Sequence, residues 1–318
     1  MSAIVVAFGK EELLAECLRA LDAAFDAVEK ECELVVVVNR LSPAGRRALQ
    51  TAGRPRVVVD NERNLGFAGG VAAGLARARG EWVALVNDDC VLEPTALAEL
   101  LAAGSAAEVG SVTAQVRFAD SPQLVNSAGL EVDELGIAYE RLLGEPAAGD
   151  ERVVDVFGAS AAAALYRRAM LDEVGGFDAS FFAYLEDADL AWRARMHGWR
   201  AVYAPRAVAL HHHSATLGHR SAEKHFLVGR NRVRMLAKNA TRAQLLRHGL
   251  AIVFYDLAYV AYAGVRSRSL APLRGRITGL REWGAYRRAG RPHRRSVPLA
   301  RSPGLRGALR RNRAYGER

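Results

Sequence analysis

Two short acidic segments carry the chemistry most legible in this chain. The apolar run 82–86 ends in Asn87-Asp88-Asp89. Carboxylates at the carboxyl end of a buried strand point into a ligand crevice, where they can hold a divalent cation against a diphosphate. The same acids also suit a loop that caps a helix starting near Thr95. The second segment runs Gly175-Gly176-Phe177-Asp178-Ala179-Ser180-Phe181-Phe182-Ala183-Tyr184-Leu185-Glu186-Asp187-Ala188-Asp189-Leu190-Ala191-Trp192-Arg193. Leu190, Ala191 and Ala194 predict a helix from about Glu186, with three acids in the first turn, where the helix dipole favours ionised carboxylates. Asp189 and Arg193 are spaced to pair along the helix surface. Glu186 or Asp187 is left to face a pocket and accept a proton from an attacking hydroxyl, with N-terminal capping as the ordinary alternative.

Three further segments are candidates. Asn64-Leu65-Gly66-Phe67-Ala68-Gly69-Gly70 opens a small-residue helix. Its glycines either let a phosphate or sugar approach backbone N–H groups or serve a tight turn with close helix–sheet packing. His211-His212-His213 follows a strand-like run, and one of these imidazoles can complete a carboxylate metal site. A basic helical stretch holds Lys224, Arg230, Arg232, Arg234 and Lys238, which face a diphosphate or solvent.

The elements that position these groups follow from periodicity. Strand-length apolar runs at 4–8, 34–38, 57–59 and 82–86 alternate with helical patterns such as Leu13-Leu14-Cys17-Leu18-Leu21. Continuous valine runs suit strands buried on both faces, so the expected fold is α/β, a doubly wound, mostly parallel sheet with its ligand beyond the carboxyl ends of the strands. Between 108 and 149 the pattern weakens. It resumes from 153 to 213, and 218–238 and 245–265 read as helices. The expected organisation is a main domain over 1–238, apolar and basic helices over 239–290, and a disordered arginine-rich tail over 291–318.

Charge is uneven along the chain. The net formal charge is +9, yet residues 266–318 hold sixteen Arg against two Glu, which leaves the preceding chain mildly acidic. Such a tail seeks an anionic surface. No nucleic-acid-binding pattern accompanies it, so nucleic acid is not an expected partner. Residues 249–265 are apolar except for Asp256. This is shorter than the roughly twenty residues that span a bilayer, and it suits a helix lying in the interface beside anionic lipid. Cys17, Cys32 and Cys90 are too scattered for a disulfide framework or a zinc site. With no charged-then-apolar leader at the start, the expected location is cytoplasmic, peripheral on the inner face of the cell membrane.

In this order, the segments resemble the family 2 glycosyltransferases of the GT-A fold, in particular the bacterial rhamnosyltransferase-like branch. The resemblance spans roughly residues 3–238. It rests on 64–70, on Asn87-Asp88-Asp89, on Gly175-Gly176-Phe177-Asp178 with Phe181-Phe182 and Glu186-Asp187-Ala188-Asp189-Leu190, and on His211. It implies that Asp187 is the catalytic base and that Asp89 and His211 hold Mg²⁺ or Mn²⁺. It further implies nucleotide-sugar contacts from Phe8, Asn39, Asn64, Gly66, Gly69, Asn87 and Asp88, with Glu186, Asp189, Trp192 and Arg193 at the acceptor or in support. The activity implied is transfer of a sugar, a deoxyhexose such as rhamnose or another hexose, with inversion, onto a lipid-linked or cell-envelope glycan. The chain departs from the family pattern where Val38 replaces the usual base-reading Asp and Phe8-Gly9 the usual Tyr-Asn. Asn39 is then the expected reader of a uracil or thymine base, hence a UDP- or dTDP-linked donor. The rival readings are a sugar nucleotidyltransferase, for which Ala7-Phe8-Gly9-Lys10-Glu11 is a poor activation loop, and a catalytically silent nucleotide-sugar-binding module.

Overall fold

The computed structural model describes residues 1–9, 11–51, 56–147, 152–212, 221–290, 295–304 and 307. His213, residues 218–220 of the expected basic helix and the last arginines of the tail lie outside the described residues. The chain opens with β1 (Ser2–Phe8), α1 (Glu11–Asp26), β2 (Glu33–Arg40), α2 (Pro43–Thr51), β3 (Arg56–Asp60), α3 (Gly66–Leu75) and β4 (Trp82–Val86). These strands lie parallel in the order β3-β2-β1-β4. The valine runs of β1, β2 and β4 are buried throughout, as strands covered on both faces require. The chain leaves β1 toward β2 on one side and later returns to β4 on the other, so a crevice opens between the carboxyl ends of β1 and β4.

The next elements are β5 (Cys90–Leu92), α4 (Ala96–Ala103), β6 (Val109–Phe118), β7 (Ser121–Ser127), the hairpin β8 (Leu130–Val132) and β9 (Ala138–Glu140), β10 (Val154–Val156), β11 (Ala163–Arg167), α5 (Arg168–Val174), a 3₁₀ turn (Ala179–Phe181), α6 (Glu186–Met196) and β12 (Arg200–His211). β11 lies antiparallel between β4 and β6, and β12 runs parallel to β6, so the full order is β3-β2-β1-β4-β11-β6-β12-β10. The stretch 108–149, where periodicity fades, therefore supplies β6 in the middle of the sheet. Its polar members Ser111, Thr113 and Gln115 are buried, which hides the strand from an apolar pattern search.

Three long helices follow among the described residues: α7 (Ala222–Asn239), α8 (Arg242–Ser267) and α9 (Ala271–Ala289). α9 lies on α7 backbone to backbone. A Cβ at Gly275 would stand 2.1 Å from the Phe226 carbonyl oxygen, and one at Gly290 1.8 Å from that of Lys238. Part of the tail lies against the body. Ala300 donates to the Val132 carbonyl at 3.0 Å and accepts from Glu134 N–H at 2.9 Å, while Val297 and Leu299 pack against the core around Trp192.

The Asp189–Arg193 pair, expected on the helix surface, is internal. The Asp189 side chain is 0% exposed, and it accepts from Arg193 Nε at 2.8 Å, Lys238 Nζ at 3.0 Å and Asn239 Nδ2 at 2.8 Å. Burial opposes its charge, but these partners hold its carboxyl below the usual range. Its contribution to stability is therefore complete above the ordinary carboxylate pKa and is lost as pH falls through the folded value. Removing one partner from such a buried cluster costs roughly 3–5 kcal/mol. Asp189→Ala should therefore lower unfolding stability by about that amount; urea unfolding with a loss under about 1 kcal/mol would show the cluster to be dispensable.

Candidate active site

The site forms where the ends of β4, β12 and α6 meet. The Asp88 carboxylate accepts from Phe8 N–H at 2.7 Å, tying the end of β1 to the turn after β4. Burial pushes this carboxyl up to about 7. Asp89 reaches across the β5–β12 pairing, in which His211 stands opposite Cys90, and its carboxylate lies 3.1 Å from His211 Nε2. The other imidazole nitrogen, Nδ1, lies 2.8 Å from Asn126 Oδ1 on β7. With an acceptor at Nδ1, a neutral imidazole would carry its proton there and leave the Nε2 lone pair for a cation beside Asp89. A lone pair and a carboxylate that converge in this way fit two ligands of one hard cation. Among the described residues no third His, Cys, Asp or Glu joins them to make a fuller metal cage. Mg²⁺ and Mn²⁺ suit such a short protein set when diphosphate oxygens and water fill the remaining positions. His212 contributes its backbone N–H to the Asp89 carbonyl at 3.0 Å.

Asp187 sits in the first turn of α6. Its carboxylate accepts from its neighbour Ala188 N–H at 2.8 Å and from Ala161 N–H at 3.4 Å. The next residue, Ala162, accepts from Asn87 N–H at 3.0 Å. One dipeptide before β11 thus fixes Asp187 and the Asn87–Asp89 turn side by side. Burial raises the Asp187 carboxyl. Burial and the charge of Asp187 raise Glu186 as well, and one Glu186 carboxyl oxygen, Oε2, is buried without a hydrogen bond. Asp189, Trp192 and Arg193 face inward as support. Trp192 packs edge-on to Phe157 at 6.2 Å, and Arg193 holds the Val174 and Gly176 carbonyls as well as Asp189. Gly175 and Gly176 take φ of 81° and 62°, which explains the glycine pair ahead of Phe177.

The Asn39 amide is engaged within the protein. Its Nδ2 donates to the Gly66 carbonyl at 2.8 Å, and its Oδ1 accepts from Asn61 Nδ2 at 2.8 Å and Leu65 N–H at 3.3 Å. It is a strut beneath the glycine loop. That loop is packed closely: Asn64 Oδ1 takes the Gly66 N–H, and the Phe182 carbonyl takes that of Ala68. Gly66 has φ 71°, and a Cβ there would stand 2.3 Å from the Phe182 oxygen. A Cβ on Gly69 would meet Leu65 at 2.8 Å and one on Gly70 would meet Val6 at 2.6 Å. Of the five cations on α7, Arg230 binds the Phe181 carbonyl, Arg232 pairs with Asp256, Arg234 with Glu282, and Lys238 with Asp178 and Asp189. Lys224 differs: its ammonium lies 5.3 Å from the Tyr184 ring centroid, and burial pulls its pKa below the usual range.

Asn126 and Glu140 have no motif around them and escape sequence reading. Glu140, at the end of β9, accepts from Ser127 and, at 3.3 Å, from Ser160.

Comparison with known proteins fits this geometry. Residues 1–231 match the sequence profile described as Glycosyltransferase like family 2. The chain belongs to that family. Galactofuranosyltransferase GlfT1 of Mycolicibacterium smegmatis is 28% identical over 316 residues, covering 92% of this chain and 96% of that protein. The N-acetylglucosaminyl-diphospho-decaprenol L-rhamnosyltransferase of Mycobacterium tuberculosis is 46% identical over 54 residues, 17% of this chain and 18% of that enzyme. An uncharacterized protein of Sinorhizobium fredii, y4gI, is 35% identical over 46% of this chain, which spans only 17% of its length. Among solved structures, GalNAc-T7 with UDP, GalNAc and Mn²⁺ superposes with a TM-score of 0.61 at 13% identity, over 90% of this chain and 56% of that one. This likeness establishes the GT-A fold.

Burial, and then the charge of Asp187, pushes the Glu140 carboxyl up to about 8. The unfolded chain releases this proton near the ordinary glutamate value, whereas the folded protein keeps it to about pH 8, so stability falls as pH rises across that interval. Glu140→Gln should flatten the fall. Thermal unfolding between about pH 5 and pH 8 measures it, and parallel wild-type and variant curves would show that Glu140 ionises normally.

Proposed function

We propose that this family 2 glycosyltransferase is an inverting, divalent-metal-assisted enzyme that moves a hexose from a UDP- or dTDP-linked donor to a lipid-linked or cell-envelope glycan. The observation that carries the reading is the pairing of Asp187 with the Asp89–His211 couple through adjacent residues Ala161 and Ala162. Asp187 accepts the proton of the acceptor hydroxyl, and a carboxyl raised by burial is better matched to neutral pH as a base. The hydroxyl oxygen bonds to the anomeric carbon while the bond to the diphosphate breaks on the opposite face, so the configuration inverts. A cation bound at Asp89 and His211 supplies positive charge for the departing diphosphate. Asn126 keeps His211 in the ligating tautomer. Glu186, with its unbonded oxygen, and Lys224, over the Tyr184 ring, are polar groups on or beside the segment that leads into Asp187.

The expected outcome for Asp187→Asn is a turnover loss of roughly two to four orders of magnitude with UDP–Mn²⁺ binding retained. Asp89→Ala and His211→Ala should instead abolish the metal-dependent part of UDP binding. Turnover read as nucleoside diphosphate release, beside calorimetry with UDP and Mn²⁺, separates the two. Full wild-type turnover in excess chelator would exclude the metal's role, and pyrophosphate release would favour the nucleotidyltransferase reading.

Peripheral attachment to an anionic membrane face completes the proposal. α8 is long and apolar enough, by length and composition, to cross a membrane, yet Asp256 on it pairs with Arg232 and Arg276 of the body. Its outer side carries Leu246, Leu250, Val253, Phe254 and Leu257 at helical spacing, with Leu250 91% exposed. A helix held to the body on one side and apolar on the other suits the plane of a lipid interface. Replacing both Leu250 and Phe254 by Glu should weaken cosedimentation with phosphatidylglycerol vesicles about tenfold or more; unchanged sedimentation would remove α8 as the contact.

A further inference from the structure

The four residues before the acidic pair of α6 follow an unusual path. Phe182, Tyr184 and Leu185 have φ of 67°, 71° and 67°, the left-handed region that L side chains disfavour. Leu185 is the N-terminal boundary residue of α6, with no side-chain cap, so Glu186 and Asp187 take their direction directly from this segment. Something outside the segment must hold it.

Asn231 on α7 does so. It is 0% exposed, and its Nδ2 donates to the carbonyls of Phe181 at 2.9 Å, Ala183 at 2.8 Å and Tyr184 at 2.8 Å. Those carbonyls belong to the peptide units immediately preceding Phe182, Tyr184 and Leu185. Because φ is the rotation that orients a residue's preceding peptide unit, each contact acts on one of the three disfavoured angles. An amide has two hydrogens to offer, so three carbonyl acceptors demand at least one shared bond. Aspartate offers no hydrogen there, and serine only one.

We propose that Asn231 is the positioning residue for Asp187, pinning the left-handed segment so that the carboxylate is presented to the acceptor hydroxyl. This rests on the reading of Asp187 as the base. A misplacement of about 1 Å in a reacting group costs on the order of 100-fold in rate.

The test compares Asn231→Ala, Asn231→Asp and Asp187→Asn in the full chain. Three quantities are read: nucleoside diphosphate release from UDP- and dTDP-sugars with membrane-extracted lipid-linked glycans, UDP–Mn²⁺ affinity, and amide hydrogen exchange across 182–187. The expected result for both Asn231 variants is a fall in kcat on the order of 100-fold, UDP–Mn²⁺ affinity within about twofold of wild type, and faster exchange confined to 182–187. If neither of these variants folds, Asn231→Ser, which keeps one donor and adds no buried charge, carries the same test, with a smaller fall in kcat expected. Wild-type kcat and exchange in the Asn231 variants, with Asp187→Asn inactive, overturn the inference alone. Parallel loss of affinity, kcat and folded protein reduces Asn231 to a fold residue and also overturns it. Near-normal turnover in Asp187→Asn overturns the base assignment and the inference together.

Discussion

A single buried charge organises the active half of this protein. Asp189 lies inside the junction of α6 and α7, where Arg193, Lys238 and Asn239 each donate to its carboxylate. An isolated carboxylate at that depth would be too costly to keep ionised, so the fold must deliver the partners together. Delivering Arg193 also fixes the Val174 and Gly176 carbonyls, and delivering Lys238 also fixes Asp178. The whole Gly-Gly-Phe-Asp segment is thereby tied to α6, whose first turn carries Glu186 and Asp187. The helix that carries Asp187, the proposed base, is oriented by a neighbour two residues further along it.

The sheet contributes the second half of the site. Parallel strands β1 and β4 end side by side, and Asp88 closes the gap between them by binding Phe8 N–H, which leaves Asp89 to meet His211 from β12. Asp88 and Asp89 are adjacent yet face different tasks, one toward the backbone and one toward an imidazole.

Much of this was legible in the sequence, and the limits have physical causes. The valine runs announce the parallel strands because burial on both faces leaves no other composition. The acidic pair at the start of α6, Asp89 and His211 stand out because carboxylates and imidazoles seldom cluster without reason. For Asn39 and the glycines at 66, 69 and 70 the sequence leaves both readings open, because a polar side chain or a glycine at a strand end looks alike whether it meets a ligand or its own backbone. Arg193 was placed on the surface because helical spacing shows which residues pair, not which side of the helix is covered. Asn126, Glu140 and Asn231 could not be found at all. Asn126 and Asn231 bond to partners at least 47 residues away in sequence, and Glu140 to serines 13 and 20 residues away, distances over which local pattern carries no information.

The contacts of Lys238, Asn239 and Gly290 decide where this chain can be divided. The stretch that resembles the family ends at residue 231, in the middle of α7. A fragment cut there keeps the sheet, Asp89 and Asp187, but leaves Asp189 with Arg193 as its one remaining charged neighbour among those described. A cut after 239 restores the carboxylate's partners and instead strips α7 of the helix that lies against its backbone at Gly275 and Gly290. The family profile therefore ends inside a packed helix, while the contacts that hold that helix extend through α9.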